Sequence, residues 1–402
     1  MDESGNFSQF KDIVNIMEND CRNFEILHDI FRNTNYTGNP EPVPTWEIYV
    51  KCIFYALILG TAFFGNLSVL VIVTMNRNMR STTNIFIANL AIGDMFIAVC
   101  PMWVKLVESI TMRWPFGEFI CKLWPFLQVT SMCGSVFTLT AIACDRFFAV
   151  VFPLKSRATK RNVFVIIAVI WVLSLAIGIP EAFAYNMVDR QWNDYHEIFC
   201  YESWVYFSCN MSKRTLYPKI YWTFVCAVTN WLPMIIMTAV YISIAIIMYR
   251  RNRIVPNSNS YGNVQQRSMR KVLRMLFIVL MAFIVCWVPF QINVVYAHYR
   301  PSYQTQLPSW FRPVQFGSIL LTHLNSALNP VIYAGLNESF RKGFVYVFVC
   351  WKRKYYYDRF VQQCGRSQGD SRVYMTTYHN GQTHFTAIGV GNGSLVRGSR
   401  RR

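Results

Sequence analysis

Few side chains in this sequence could do chemistry where they stand. Asp94, which closes the run Asn89-Leu-Ala-Ile-Gly-Asp94, is an acid within an otherwise apolar stretch, and Asn66, Asn325 and Asn329 sit in other apolar stretches. A charged or strongly hydrogen-bonding group surrounded by hydrocarbon is costly unless it has a partner or lines a cavity. Two uses fit. The set is either a hydrogen-bonded knot that fixes helix packing, or a water-filled cluster in which Asp94 holds a small cation such as Na⁺ and whose rearrangement moves a helix. The neighbours Asp145 and Arg146 form a charge pair, either static or a latch that opens when helices shift. Nucleophile–base pairs, glycine-rich phosphate loops and metal-ligand spacings do not occur, so neither enzymatic chemistry nor a required cofactor is expected.

The elements that must hold these residues follow from composition. The chain has 402 residues, 53% hydrophobic and only 15% charged, too little charge to cover a soluble core of this size. Apolar blocks near 52–75, 85–107, 122–144, 163–184, 220–248, 272–297 and 315–335 each match the length needed to cross the hydrocarbon of a bilayer. Backbone groups in lipid must be satisfied inside their own segment, so these blocks are helices. The seventh is the least apolar, with Gln315, His323, Asn325 and Asn329. The expected fold is an all-α membrane protein: a seven-transmembrane helix bundle over 51–338, an outer segment at 1–50, a short amphipathic eighth helix at 339–350 on the membrane surface, and a disordered tail at 351–402.

Charge orients the bundle. Arg77 and Arg80, then Lys155, Arg157, Lys160 and Arg161, then Arg250, Arg251, Arg253, Arg267, Arg270 and Lys271 follow the first, third and fifth spans. Residues 1–50 hold nine acids against Lys11, Arg22 and Arg32, while 336–402 hold twelve bases against Glu338, Asp358 and Asp370. Positive loops stay in the cytoplasm, so a multi-pass plasma-membrane protein is expected, amino terminus extracellular and carboxyl tail cytoplasmic, with the first span as its own signal anchor. The net +18 borders membrane exits and points to membrane lipid or an intracellular protein, not to nucleic acid. Asn6, Asn35 and Asn210 head Asn-X-Ser/Thr sequons on the outer side and are expected glycan sites. Cys121 opens the third span on that side and Cys200 lies in the loop between spans four and five, so a disulfide is expected between them. Cys21 and Cys209 either form a second bridge or remain thiols. A lipid on Cys350 would pin the stretch from Phe340 to Val349 to the inner leaflet. Pro233, Pro289 and Pro330 interrupt spans five, six and seven as hinges, and Trp287 stands two residues before Pro289.

Taken in order, Gly65-Asn66, Leu90-Ala91 with Asp94, Trp114-Pro-Phe-Gly117, Cys121, Asp145-Arg146-Phe147, Trp171, Pro233 with Tyr241, Cys286-Trp-Val-Pro289 and Asn329-Pro-Val-Ile-Tyr333 resemble the rhodopsin-like G-protein-coupled receptors over roughly residues 50–350. The resemblance implies a sodium-and-water cluster of Asp94, Asn66, Ser135, Asn325 and Asn329. It also implies an activation switch in which Asp145 releases Arg146 toward a G protein, Trp287 and Pro289 form the floor of the ligand pocket, and Tyr241 and Tyr333 reorganise. Two departures stand out: Phe147 replaces the usual tyrosine, and Met269 occupies the sixth-span position from which a glutamate latches the arginine in some relatives. Appreciable basal signalling is therefore expected.

Gln128 stands where amine receptors of this family carry an aspartate, which leaves a monoamine without a counter-ion. Together with the acidic outer segment and the loop acids Asp189, Asp194, Glu197 and Glu202, it is more similar to the neuropeptide branch, around the orexin, allatotropin, trissin and neuropeptide Y or FF receptors. A basic extracellular peptide is the expected ligand, with Gln128, Trp103, Gln291, Val294, Glu202, Trp204, Phe311 and His323 in its pocket; the alternatives are a non-peptide small molecule or, further off, a seven-helix transporter. The expected inner partners are a heterotrimeric G protein, a receptor kinase and an arrestin.

Overall fold

The computed structural model describes residues 32–35, 43–76, 79–152, 159–204, 211–254, 260–300, 308–347, 372–379 and 382–389. It divides into two units, Met1–Phe344 and Val345–Arg402. The first contains seven long helices: α1, Thr45–Met75; α2, Thr82–Thr111; α3, Gly117–Val151; α4, Lys160–Ala184; α5, Met211–Cys226 continuing through Leu232–Ile254; α6, Ser260–Tyr299; and α7, Phe311–Leu336. The first six are long and apolar enough to cross a membrane. The seventh packs against α1 and α6 and completes a seven-transmembrane bundle, its apolarity lowered by the polar side chains noted above.

Local chemistry sets the ends of these helices. Ser81 Oγ accepts from Asn84 N at 3.3 Å and Thr159 Oγ1 from Asn162 N at 3.4 Å, capping α2 and α4. The turn between α2 and α3 runs from Met112, at φ 53°, to Gly117, at φ 75°; glycine takes that conformation without steric cost. Two helices are interrupted by π turns, Ala98–Met102 in α2, which contains Pro101, and Ala227–Trp231 in α5, just before Pro233. Each π turn adds a residue and rotates the helix beyond it.

Polar side chains tie the helices together at depth. Trp171 Nε1 donates to Asn89 Oδ1 at 2.9 Å, and Asn89 Nδ2 donates to Thr138 Oγ1 at 2.8 Å, joining α4, α2 and α3. Gly65 of α1 lies against Pro330 of α7 so closely that a Cβ there would come within 2.6 Å of the proline ring.

An antiparallel hairpin leaves α4 with no intervening residue: β1, Tyr185–Gln191, pairs with β2, His196–Glu202, in a register that sets Tyr185 opposite Glu202. Cys121 and Cys200 form the expected disulfide, pinning β2 to the start of α3. Trp114 N donates to Ile198 O at 2.9 Å, so the α2–α3 turn joins the same face.

Beyond α7, Asn337 Oδ1 accepts from Ser339 N at 3.1 Å and Phe340 N at 3.4 Å, and residues 338–344 are helical again. Phe340 packs on Tyr333, ring centroids 5.6 Å apart. The expected surface helix at 339–350 extends past the described residues, Cys350 included. In the second unit, β3, Arg372–His379, pairs antiparallel with β4, Gln382–Gly389. The pairing falls within 351–402, where the sequence leads to an expectation of disorder. Both segments are rich in β-branched and aromatic residues and flank Asn380-Gly381, a strong hairpin signal.

Candidate functional site: a cavity above two polar groups

At the hairpin end of the bundle lies a cavity of about 210 Å³ enclosed by α2 to α7 and both strands. Glu202, the last residue of β2, is its most constrained acid. Its Oε1 accepts from Trp204 Nε1 at 2.7 Å and Trp222 Nε1 at 3.0 Å, while Oε2 lies 4.0 Å from His298 Nε2. Lys105 brings a positive charge to the wall, paired with Glu108 at 2.7 Å and 4.0 Å above the Trp124 ring. Burial, with Glu202, Glu181 and Glu108 nearby, pushes the Tyr185 hydroxyl well above the ordinary range, so it stays a neutral hydrogen-bonding group.

An aromatic series runs from this cavity into the bundle. His298 stacks on Trp222, with centroids 6.2 Å apart; Trp222 meets Phe290 edge-on at 6.4 Å; Phe290 meets Trp287 at 6.1 Å; and Trp287 meets Phe283 at 6.0 Å. A continuous series of packed rings thus runs from Trp222, which donates to Glu202, to Trp287, two residues before Pro289.

Deeper in the bundle, Asp94 is fully buried and its Oδ2 accepts from Asn329 Nδ2 at 2.8 Å. Asn66 Nδ2 donates to Ser326 O at 3.0 Å, bringing α1 to the same place. The hydroxyls of Ser135 and Ser326 adjoin the Asp94 carboxylate. Asp94 Oδ1, Asn66 Oδ1, Ser135 Oγ and Ser326 Oγ are buried and make no hydrogen bond of ordinary geometry among the described residues, although both serine hydroxyls are near enough to turn toward the carboxylate.

At the opposite end Asp145 Oδ2 accepts from Arg146 Nε at 3.1 Å and from Thr83 Oγ1 at 2.9 Å, and its Oδ1 from Thr82 Oγ1 at 3.4 Å. Arg146 is thereby folded onto its own helix while Asp145 is tied to the start of α2.

Of the pocket residues expected from sequence, Gln128, Val294, Glu202 and His323 line the cavity. Trp204 stands behind Glu202. Gln291 is buried and accepts from Trp231 Nε1 at 2.9 Å, outside the lining, and Phe311 packs on Tyr296 at 5.7 Å. Trp103 does not line the cavity: it sits on Phe116 at 5.0 Å and donates to Val99 O, because the π turn ahead of it rotates the end of α2 and presents Lys105 instead. The expected cluster gathers Asn66, Asp94, Ser135 and Asn329. Asn325 is buried a turn earlier on α7, and Ser326, not singled out from the sequence, takes the place beside Asp94. Tyr333 is buried and Tyr241 half-buried. Asn35 is exposed and accepts from Asn193 Nδ2 at 2.7 Å, while Asn6, Cys21, Cys209 and Asn210 lie outside the described residues. Glu181, Lys105, Trp222 and His298 were missed; a lone acid near the end of an apolar run was the available signal for the first.

The family model described as 7 transmembrane receptor (rhodopsin family) matches residues 65–333. A QRFP-like peptide receptor of Branchiostoma floridae is 31% identical over 344 residues, covering 81% of this chain and 87% of its own length. The substance-P receptor of Homo sapiens is 28% identical over 307 residues, 76% of this chain and 72% of its own. Tachykinin-like peptides receptor 99D of Drosophila melanogaster is 33% identical over 308 residues, 76% of this chain and 58% of its own.

Proposed function

Because the chain belongs to the rhodopsin family of seven-transmembrane receptors, we propose that it is a receptor for an extracellular neuropeptide, which couples binding to nucleotide exchange on a heterotrimeric G protein. Receptors of this family signal by changing shape and are not enzymes. The observation that carries the reading is the hairpin-capped cavity whose acid, Glu202, is joined by packed rings to Trp287. The similar receptors are named for peptides, and the excess of acids over bases in residues 1–50 favours a basic peptide by electrostatic steering.

In this reading the protein sits in the plasma membrane with the hairpin end outside and the Asp145 end in the cytoplasm, as the positive loops require. Sequons at Asn6, Asn35 and Asn210 carry glycans, Cys21 and Cys209 are available for a second outer bridge, and a lipid on Cys350 holds residues 339–350 to the inner leaflet. A receptor kinase and an arrestin act on the basic, Ser- and Thr-containing tail. Four buried oxygens around Asp94 suit a hard cation, which takes oxygen ligands. Asp94, Asn66, Ser135 and Ser326 would hold Na⁺, whose charge would stabilise the buried carboxylate.

The test is a panel of basic and amidated neuropeptides applied to cells expressing the receptor with a promiscuous G protein, read by intracellular calcium. Peptide responses are expected. A response to amines alone would overturn the peptide reading, and ion flux without nucleotide exchange would overturn the receptor reading.

A further inference from the structure

The base of the hairpin brings a second carboxylate to the same wall as a buried one. Glu181 lies in the last turn of α4, 1% exposed, and its backbone carbonyl accepts from Tyr185 N–H. Tyr185 is the first residue of β1 and pairs with Glu202; Ser203 N closes the base by donating to Ala184 O. The register therefore delivers Glu181 and Glu202 to one cavity wall, near enough to repel one another.

The two acids differ in how their charge is met. Glu202 Oε1 is held by two indole N–H groups. Glu181 Oε1 is buried and has no hydrogen-bond partner among the described residues. Its neighbour Tyr221 places its hydroxyl 2.9 Å from Ile177 O and also within reach of the Glu181 carboxylate, a neutral partner that brings no counter-charge. The cation of the wall, Lys105, is engaged with Glu108 at 2.7 Å, and His298 lies against Trp222 and the far oxygen of Glu202. A buried carboxyl group that faces a cavity without a counter-charge either keeps its proton or is met by a cation, so an arriving cation favours the ionised form.

We propose that Glu181 and Glu202 form a socket for one guanidinium group, the side chain of an arginine in the ligand, and that Glu181 is the residue that selects it. A guanidinium is flat and stacks readily on aromatic rings such as Tyr185 and Trp222, which line the cavity, and its fork of five N–H donors can serve two carboxylates at once. An ammonium is compact, more strongly hydrated, and has three donors. The peptide nature of the ligand rests on the reading above; the socket rests on the cavity itself.

Two arms test it. Purified full-length receptor in detergent micelles is heated with millimolar ethylguanidinium chloride, and with ethylammonium chloride as control. The expected result is a saturable rise in Tm with ethylguanidinium alone, absent in Glu181→Gln and retained in Glu118→Gln, which alters an exposed acid of α3. No rise in the wild type, or an equal rise with both cations, overturns the socket. The wild-type arm needs no variant, so it decides even where Glu181→Gln folds poorly. In the second arm, each arginine of an agonist peptide from the calcium screen is replaced in turn by citrulline. One replacement should weaken the wild type by about tenfold or more and have no further effect on Glu181→Gln. If every citrulline peptide matches its parent, the socket is wrong and the peptide reading stands. If ethylguanidinium binds through Glu181 and no peptide signals, the socket stands and the peptide reading falls.

Discussion

The side-chain amide of Asn329 donates to the carboxylate of Asp94 at 2.8 Å, joining α7 to α2 at a point where both groups are buried. Neither residue could be placed there alone without heavy cost. The bond also leaves Asp94 Oδ1 beside the hydroxyls of Ser135 and Ser326, so the contact that fixes helix packing and the oxygens that would take a cation belong to one site.

If Na⁺ occupies that site, agonist affinity should fall when sodium chloride replaces N-methylglucamine chloride at constant ionic strength. Asp94→Asn keeps a hydrogen-bonding partner for Asn329 and removes the charge, so its affinity should be the same in both salts. Radioligand competition in the two buffers makes the comparison; a variant as sodium-sensitive as the wild type would count against Asp94 as the ligand.

Asp145→Asn weakens the hold on Arg146 and the bonds from Thr82 and Thr83 together. Ligand-independent nucleotide exchange should rise by roughly fivefold or more, the scale of typical conformational coupling. Thr83→Val removes one bond at 2.9 Å and should raise it less. Guanine-nucleotide exchange in membranes without agonist gives both numbers, normalised to surface receptor.

Gly65→Val forces methyl groups into Pro330, whose ring is already 2.6 Å from a bare Cβ. Overpacking of this kind costs about 1–3 kcal/mol, and a cyclic side chain has little freedom to yield. A lower Tm than the wild type is expected in detergent. Gly60→Val, at a position with open space around it, should change Tm far less.

Cys200→Ser releases β2 from α3 and opens a covalent link spanning 79 residues of sequence. Loss of a native disulfide typically costs about 2–5 kcal/mol. The variant should reach the cell surface poorly, and the fraction that does should lose high-affinity agonist binding. Cys52→Ser, a half-buried free cysteine of α1, is the matched control for thiol loss.

The seven spans could be read from sequence because lipid imposes one rule on every helix: long, apolar and internally hydrogen-bonded. The deep polar residues could be picked out for the converse reason, since a polar residue within such a run is rare enough to be singled out. The cavity was only half visible. Trp103 lies outside the cavity because a π turn containing Pro101 precedes it, and Lys105 lines the wall instead. Glu181 was passed over because an acid near the end of an apolar run also suits a membrane interface; its relation to Glu202 exists only once the strand register is set. In the tail, Asn380-Gly381 between β-forming residues carried a hairpin signal that the overall polarity of the segment masked.

The hairpin beside the cavity is anchored at two points, β1 growing directly out of α4 and β2 bonded through Cys200 to α3. Anchored in this way it has little conformational freedom to lose when a ligand arrives, and a cavity of about 210 Å³ admits only part of a long peptide. Selection among long peptides is thereby shifted toward the shape of the end that enters first, with the remainder left at the doorstep to set how long the visit lasts.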